Sequence, residues 1–161
     1  MIVSTEDLPR HRGQVTMVDG GFDPFHHGHV AYFAAAAGLG LPVLCNVSSD
    51  EYVSRKHPPF LDQAERAAII DALRQVAYTH MAQTTTEDVL RLLQPRYYAK
   101  GADWSGRLPE GEQAVCVEAG IEVVYLDTVL ESSSAMPYSG TPSRAARSSL
   151  KRATPDRKPS R

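Results

Sequence analysis

Cysteine is scarce in this chain: Cys45 and Cys116 are the only two among 161 residues. Two thiols cannot build a disulfide scaffold or a four-cysteine zinc site. Both lie in apolar stretches, as buried free thiols in a reducing compartment do. An apolar run long enough for a membrane is missing too. Val30–Cys45 runs sixteen residues without a charge, but a span needs about twenty apolar residues. Gly38, Gly40 and Pro42 also interrupt it, so it reads as a helix end, a turn and a buried strand. The opening MIVSTEDLPRHRG holds no apolar core of signal-peptide length, which points to the cytoplasm. No internal repeat is present. Hydrophobic residues make up 42% and charged residues 22%, with 11 Gly and 11 Pro, which excludes a collagen, a coiled coil or a wholly disordered chain. The length suits one domain with its own core.

Net charge is also small, −2, but it is unevenly spread. Pro137–Arg161 carries seven Lys/Arg against one Asp, a net of +6, so the other 136 residues carry −8. A basic tail can attract nucleic acid or an anionic surface. A solvated, disordered tail with no specific partner is the simpler expectation.

Strand and helix signals alternate along the rest. Gln14–Asp19 is β-rich and ends at Gly20-Gly21; His27–Leu39 is Ala-rich and helical, stopped near Gly38 and Gly40. Leu41–Val47 reads as a buried strand, and Asp62–Leu73 as a helix with an acidic first turn. Val76–Ala82 is the next strand, Thr86–Leu93 a helix with Thr86 as its cap, and Pro95 ends it. Tyr97–Ala99 begins a strand, Glu110–Ala119 is helical up to Gly120, and Ile121–Leu126 is a strand. This order predicts an α/β fold: a single-domain, Rossmann-like, doubly wound parallel sheet of about five strands. Residues 1–13 are set apart as an N-terminal extension, 14–150 as the domain and 151–161 as a basic, disordered tail. In such sheets the ligand lies beyond the C-terminal strand ends, which directs attention to 20–29, 48–60, 100–107 and 127–147.

The first of these loops reads Gly20-Gly21-Phe22-Asp23-Pro24-Phe25-His26-His27-Gly28-His29. Its glycines allow a tight turn and close approach of a phosphate to the backbone. The following helix offers free N–H groups and a positive dipole end. His26 and His29, three apart, share a face and can donate ring N–H groups to phosphate oxygens, with Gly28 keeping the surface open and His27 pointing elsewhere. A histidine metal site and a structural turn with incidental histidines are the competing readings.

GGFDPFHHGH resembles the GxFDxxHxGH signature of the cytidylyltransferase-like nucleotidyltransferases. The resemblance extends through Ser49-Asp50-Glu51, Lys56, Glu65-Arg66 and Lys100-Gly101-Ala102-Asp103-Trp104, covering roughly Val15–Asp127. The last run is most similar to adenylyltransferases that act on heptose 1-phosphate; its Asp-Trp pair also resembles glycerol-3-phosphate cytidylyltransferases. Archaeal-type FAD synthetases share the first motif and are less similar here.

The resemblance implies that a substrate phosphate oxygen attacks the α-phosphorus of a nucleoside triphosphate and pyrophosphate leaves. Catalysis then rests on positioning and charge neutralisation. It implies catalytic roles for His26, His29 and Lys56, with Arg55 as an alternative to the lysine. Gly21, Phe22, Asp23 and Gly28 would bind nucleotide, and Gly101, Asp103 and Trp104 would wall its base or ribose. Lys100 could reach a phosphate, and Arg66 is either functional or a helix ion-pair partner. Magnesium is the implied cofactor, held largely by phosphates and water with no declared protein ligand. The implied partners are a nucleoside triphosphate, a small phosphorylated acceptor and a second copy in a homodimer, with neither membrane nor nucleic acid expected.

One departure stands out. Where the family has a Ser-Thr-Thr loop opening a C-terminal helix, this chain has Glu131-Ser132-Ser133-Ser134-Ala135-Met136-Pro137, and Pro137 hinders helix continuation. Thr141-Pro142-Ser143-Arg144 is a second helix start whose arginines could meet phosphates. Ser133, Thr141 and Arg144 are therefore phosphate-binding candidates. The favoured function is adenylyl transfer from ATP to a sugar phosphate such as heptose 1-phosphate. The alternatives are cytidylyl transfer from CTP to glycerol 3-phosphate or a related phosphate or phosphonate, and a non-catalytic nucleotide-binding module.

Overall fold

The structure, a computed structural model, describes residues 1–127. Its strands are β1 (Ile2–Val3), β2 (Thr16–Gly20), β3 (Val43–Val47), β4 (Val76–Met81), β5 (Tyr97–Gly101) and β6 (Glu122–Leu126). They form one six-stranded sheet in the order β1-β4-β3-β2-β5-β6, every pair parallel. The helices are α1 (His27–Ala37), α2 (Asp50–Ser54), α3 (Gln63–Asp71), α4 (Thr86–Leu93) and α5 (Glu110–Ala119). The doubly wound parallel architecture expected from the alternating pattern is the one observed.

Alternation along the strands builds two cores. Met17, Leu44 and Tyr98 face α4 and α5, meeting Leu90, Leu93, Val115 and Cys116. Their neighbours Val18, Cys45 and Ala99 face the opposite way, against Phe33 and Ala36 of α1 and Ala67 and Ile70 of α3. Both faces of the sheet are thus covered, as an all-parallel sheet requires. Both cysteines are buried free thiols, as their apolar surroundings predict.

From β2 the chain steps outward through β3 to β4, then returns to lay β5 on the other side of β2. That reversal opens a crevice beyond the C-terminal ends of β2 and β5. Local signals fix the helices around it. Asp62 caps α3 through Glu65 N–H, and the Glu65 side chain returns the bond to Asp62 N–H, a reciprocal capping box. Gln94 at φ +42° and Gly120 at φ +65° end α4 and α5 in the left-handed region.

Several details differ from the sequence reading. There are six strands, because Ile2 and Val3, placed in an extension, pair with Thr79 and His80 at the sheet edge. Residues Thr5–His11 then form a 3-10 turn that buries Leu8 completely, worth about 1.5–3 kcal/mol in transfer terms. Helix α1 ends at Ala37 with Gly38 as its cap, and β3 begins at Val43, after Pro42. The cap of α4 is Thr85, whose hydroxyl accepts from Asp88 N–H at 3.2 Å. Thr86 is turned instead toward Asp19, 3.5 Å away. No helix among the described residues is long and apolar enough to cross a membrane.

Candidate active site

The glycine loop is shaped by steric demand and pinned by one arginine. Phe22 sits at φ +53° and folds its ring back so that a Cβ on Gly20 would lie 3.1 Å from Phe22 Cζ. A Cβ on Gly21 would lie 3.0 Å from Val53 Cγ2 of α2. A side chain at either glycine would thus press on its neighbour, which would have to give by a few tenths of an ångström. Arg66 of α3, fully buried, donates from Nη1 to Gly21 O at 2.7 Å, from Nε to Leu61 O at 3.2 Å and from Nη2 to Asp50 Oδ1 at 2.6 Å. Of its two sequence readings, the structure shows the ion-pair one: Arg66 ties together the glycine loop, the 57–61 loop and α2. Asp23 closes the same joint, its Oδ2 accepting from Phe60 N–H at 2.7 Å.

His26 and His29 meet at the start of α1. His26 is the N-cap: its Nδ1 accepts from Gly28 N–H at 3.1 Å. His29 Nδ1 accepts from His26 N–H at 3.3 Å, and the two rings stack with centroids 3.9 Å apart. A ring nitrogen that accepts a hydrogen bond carries no proton, so each neutral imidazole must hold its proton on Nε2. Two Nε2–H donors result, on rings that line one cavity. Burial, and next the proximity of His26, push the His29 pKa down to about 4, so His29 is neutral near pH 7. His27 is exposed and lines no part of the cavity.

The cavity has a volume of about 230 Å³ and is walled from both faces of the sheet. Of the residues nominated from sequence, Gly21, Phe22, Asp23, His26 and His29 line it from the first loop, and Lys56 from the segment after α2. Lys100, Gly101, Asp103 and Trp104 line it from the end of β5. Gly28 is buried behind the histidines, contributing its N–H to His26. Arg55 lies away from the cavity, exposed, with its guanidinium 3.4 Å from Glu51 and over the Tyr52 ring. Of the two candidates, Lys56 is the one that lines the cavity. Ser133, Thr141, Arg144 and the basic tail lie outside the described residues.

Sequence reasoning missed the floor. Lys100, only 5% exposed, is an ion-pair partner rather than a free cation: Nζ lies 2.9 Å from Asp19 Oδ1 and donates to the Tyr98 hydroxyl at 3.3 Å. Tyr98 in turn donates to Glu112 Oε2 of α5 at 2.9 Å. The ammonium also sits 4.3 Å from the Trp104 ring centroid, a cation–π contact. Burial disfavours the Lys100 charge, but Asp19, by charge and hydrogen bond, outweighs it and holds the ammonium above its usual pKa. Burial and the Asp19 charge raise Glu112, against the opposing pull of Lys100 and Tyr98. The signal available in sequence was a lone Asp and a lone Lys in two apolar strands. Gly20, Tyr32, Ser48, Tyr52, Val53 and His57 complete the lining, and Tyr32 fixes α1 to β5 by donating to Ala99 O at 2.6 Å.

Among the described residues no three His, Cys, Asp or Glu stand together as a metal cage. Asp23, which lines the cavity, has a buried carboxylate oxygen, Oδ1, with no hydrogen-bond partner among the described residues. That donor set fits a cation delivered with phosphates and water better than a resident one.

A family model described as cytidylyltransferase-like matches residues 17–146. The bifunctional protein HldE of Gluconobacter oxydans is 35% identical over 128 residues, 77% of this chain and 26% of that protein. The D-beta-D-heptose 1-phosphate adenylyltransferase of Bordetella bronchiseptica is 34% identical over 114 residues, 67% of this chain and 68% of its own length. The chain thus spans about a quarter of the bifunctional relative. Among solved structures, a lipopolysaccharide core biosynthesis protein from Thermoplasma volcanium superposes with a TM-score of 0.62 at 24% identity, covering 71% of this chain and 96% of that one. That similarity is one of fold.

Proposed function

Because the chain belongs to the cytidylyltransferase-like family, we propose that it is a nucleotidyltransferase. It joins a nucleoside monophosphate, with ATP the favoured donor, to a small sugar phosphate such as heptose 1-phosphate. An acceptor phosphate oxygen bonds to the α-phosphorus, the bond from that phosphorus to the bridging oxygen breaks, and pyrophosphate departs with the electron pair. The nucleophile is already an anion, so no general base is required. The reaction asks instead for positioned donors where charge gathers.

The observation that carries this reading is the pair of stacked imidazoles at the N-terminus of α1, each with Nδ1 bonded to a backbone N–H and each lining the cavity. In this role they hold triphosphate oxygens and stabilise charge developing at the α-phosphorus. Lys56, which lines the same cavity, adds a cation. Asp103 and Trp104 border the base or sugar. Magnesium, when bound, neutralises phosphate charge, and Asp23 would hold it together with phosphate oxygens and water. The similarity to the heptose 1-phosphate adenylyltransferase supports the acceptor class and the preference for ATP.

The test is pyrophosphate release with magnesium, ATP or CTP, and a panel of heptose 1-phosphates, glycerol 3-phosphate and FMN, with the product identified by mass. Turnover with ATP and a heptose 1-phosphate is expected. Turnover with CTP and glycerol 3-phosphate alone would transfer the assignment to the cytidylyl reaction. Nucleotide binding without turnover across the panel would contradict activity on these acceptors.

A further inference from the structure

Among the described residues, the floor of the cavity carries more negative than positive charge. Asp19 and Glu112 flank a single ammonium, Lys100, the first directly at 2.9 Å and the second through the Tyr98 hydroxyl. Asp103 adds a third carboxylate at the rim. Among the described residues, charged neighbours on the surrounding elements do not restore the balance: Glu87 of α4 adds negative charge near Glu112, and Cys116 on α5 itself supplies none. Such a floor opposes the entry of any anion, yet the other wall, with His26, His29 and Lys56, is built to receive one. The reaction gives Glu112 no proton to abstract, since the attacking oxygen is already ionised.

We infer that Glu112 is a positioning residue that takes up a proton when an anionic ligand enters the cavity, leaving the Asp19–Lys100 pair intact beneath that ligand. The inference rests on the nucleotide-binding reading. With Glu112 protonated, Asp19 and Lys100 balance one another and the floor becomes neutral. With Glu112 ionised, the ligand either meets an uncompensated carboxylate or draws Lys100 from Asp19. Like charges brought into one poorly solvated site raise each other's proton affinity, and Glu112 is only 8% exposed.

The test is titration calorimetry of ATP with magnesium, in buffers of differing ionisation enthalpy, between about pH 6 and pH 8. Wild-type protein should take up a fraction of a proton per ATP, and affinity should fall as pH rises, by at most about tenfold per unit for one coupled proton. Glu112→Gln, which keeps an acceptor for Tyr98 but cannot ionise, should lose most of the uptake and flatten the pH dependence. Wild-type binding without proton uptake across the range would overturn the inference, whatever the variant does. Uptake in Glu112→Gln equal to wild type would place the proton elsewhere and would also overturn it. Absence of ATP binding would instead count against the nucleotide-binding reading on which the inference rests.

Discussion

At the scale of single residues, hydrogen bonding decides what each histidine can do. His29 surrenders its Nδ1 lone pair to a backbone N–H, so its neutral form presents N–H and nothing else on the other side. Burial and His26 hold its pKa to about 4, below the ordinary 6.5. The unfolded chain therefore binds more protons than the folded one between these values, and folding stability must rise with pH through that window. Stability from this group is complete above about pH 6.5 and is lost as pH falls toward 4. His80, also lowered by burial, acts in the same sense. We expect the thermal midpoint to fall as the medium is acidified from pH 6.5 to about 4, and His29→Gln to make that fall shallower without abolishing it. An unchanged slope in His29→Gln would contradict the buried neutral imidazole.

At the scale of elements, α3 holds the active loop in place through Arg66. Its planar fork reaches three acceptors on three segments at 2.6–3.2 Å, a geometry lysine cannot reproduce. Arg66→Lys should cost about 2–4 kcal/mol in denaturant unfolding, since buried carbonyls lose charged donors. It should also weaken nucleotide binding by releasing the glycine loop. A change within about 0.5 kcal/mol would mean that the loop holds its shape unaided. Elements of this kind were unevenly legible in the sequence. Helix α3 was legible through its apolar spacing and acidic first turn, α4 through a threonine start, one residue off, and Pro95, α5 through its terminal Gly120, and β2 and β3 through short β-rich or apolar runs beside glycine or proline. A two-residue strand such as β1 and a five-residue helix such as α2 are shorter than any period that could reveal them. Leu8 is likewise one apolar residue among polar ones, and its burial is visible only once the 3-10 turn has formed.

At the scale of the whole molecule, the parallel winding reverses between β4 and β5, and that reversal determines where chemistry can occur. The cavity collects a loop near residue 20, a segment near 56 and a strand end near 100. The loop histidines were readable because their chemistry is local: ten consecutive residues hold the glycines, both donors and the helix start. The floor was not, because Asp19 and Lys100 are 81 residues apart and meet only when β5 returns beside β2. Lys100 taken alone looked like a phosphate ligand; the fold gives it to Asp19.

The catalytic assignment stands or falls on how kcat and nucleotide affinity divide in His29→Ala. If the Nε2–H donor acts chiefly on charge developing at the α-phosphorus, kcat should drop by about 100- to 1,000-fold. Over the same substitution, the Kd for ATP should change by less than about tenfold, or about 1.4 kcal/mol. A loss confined to Kd, with kcat at saturating ATP unchanged, would make His29 a binding residue alone and contradict its place in the transition state.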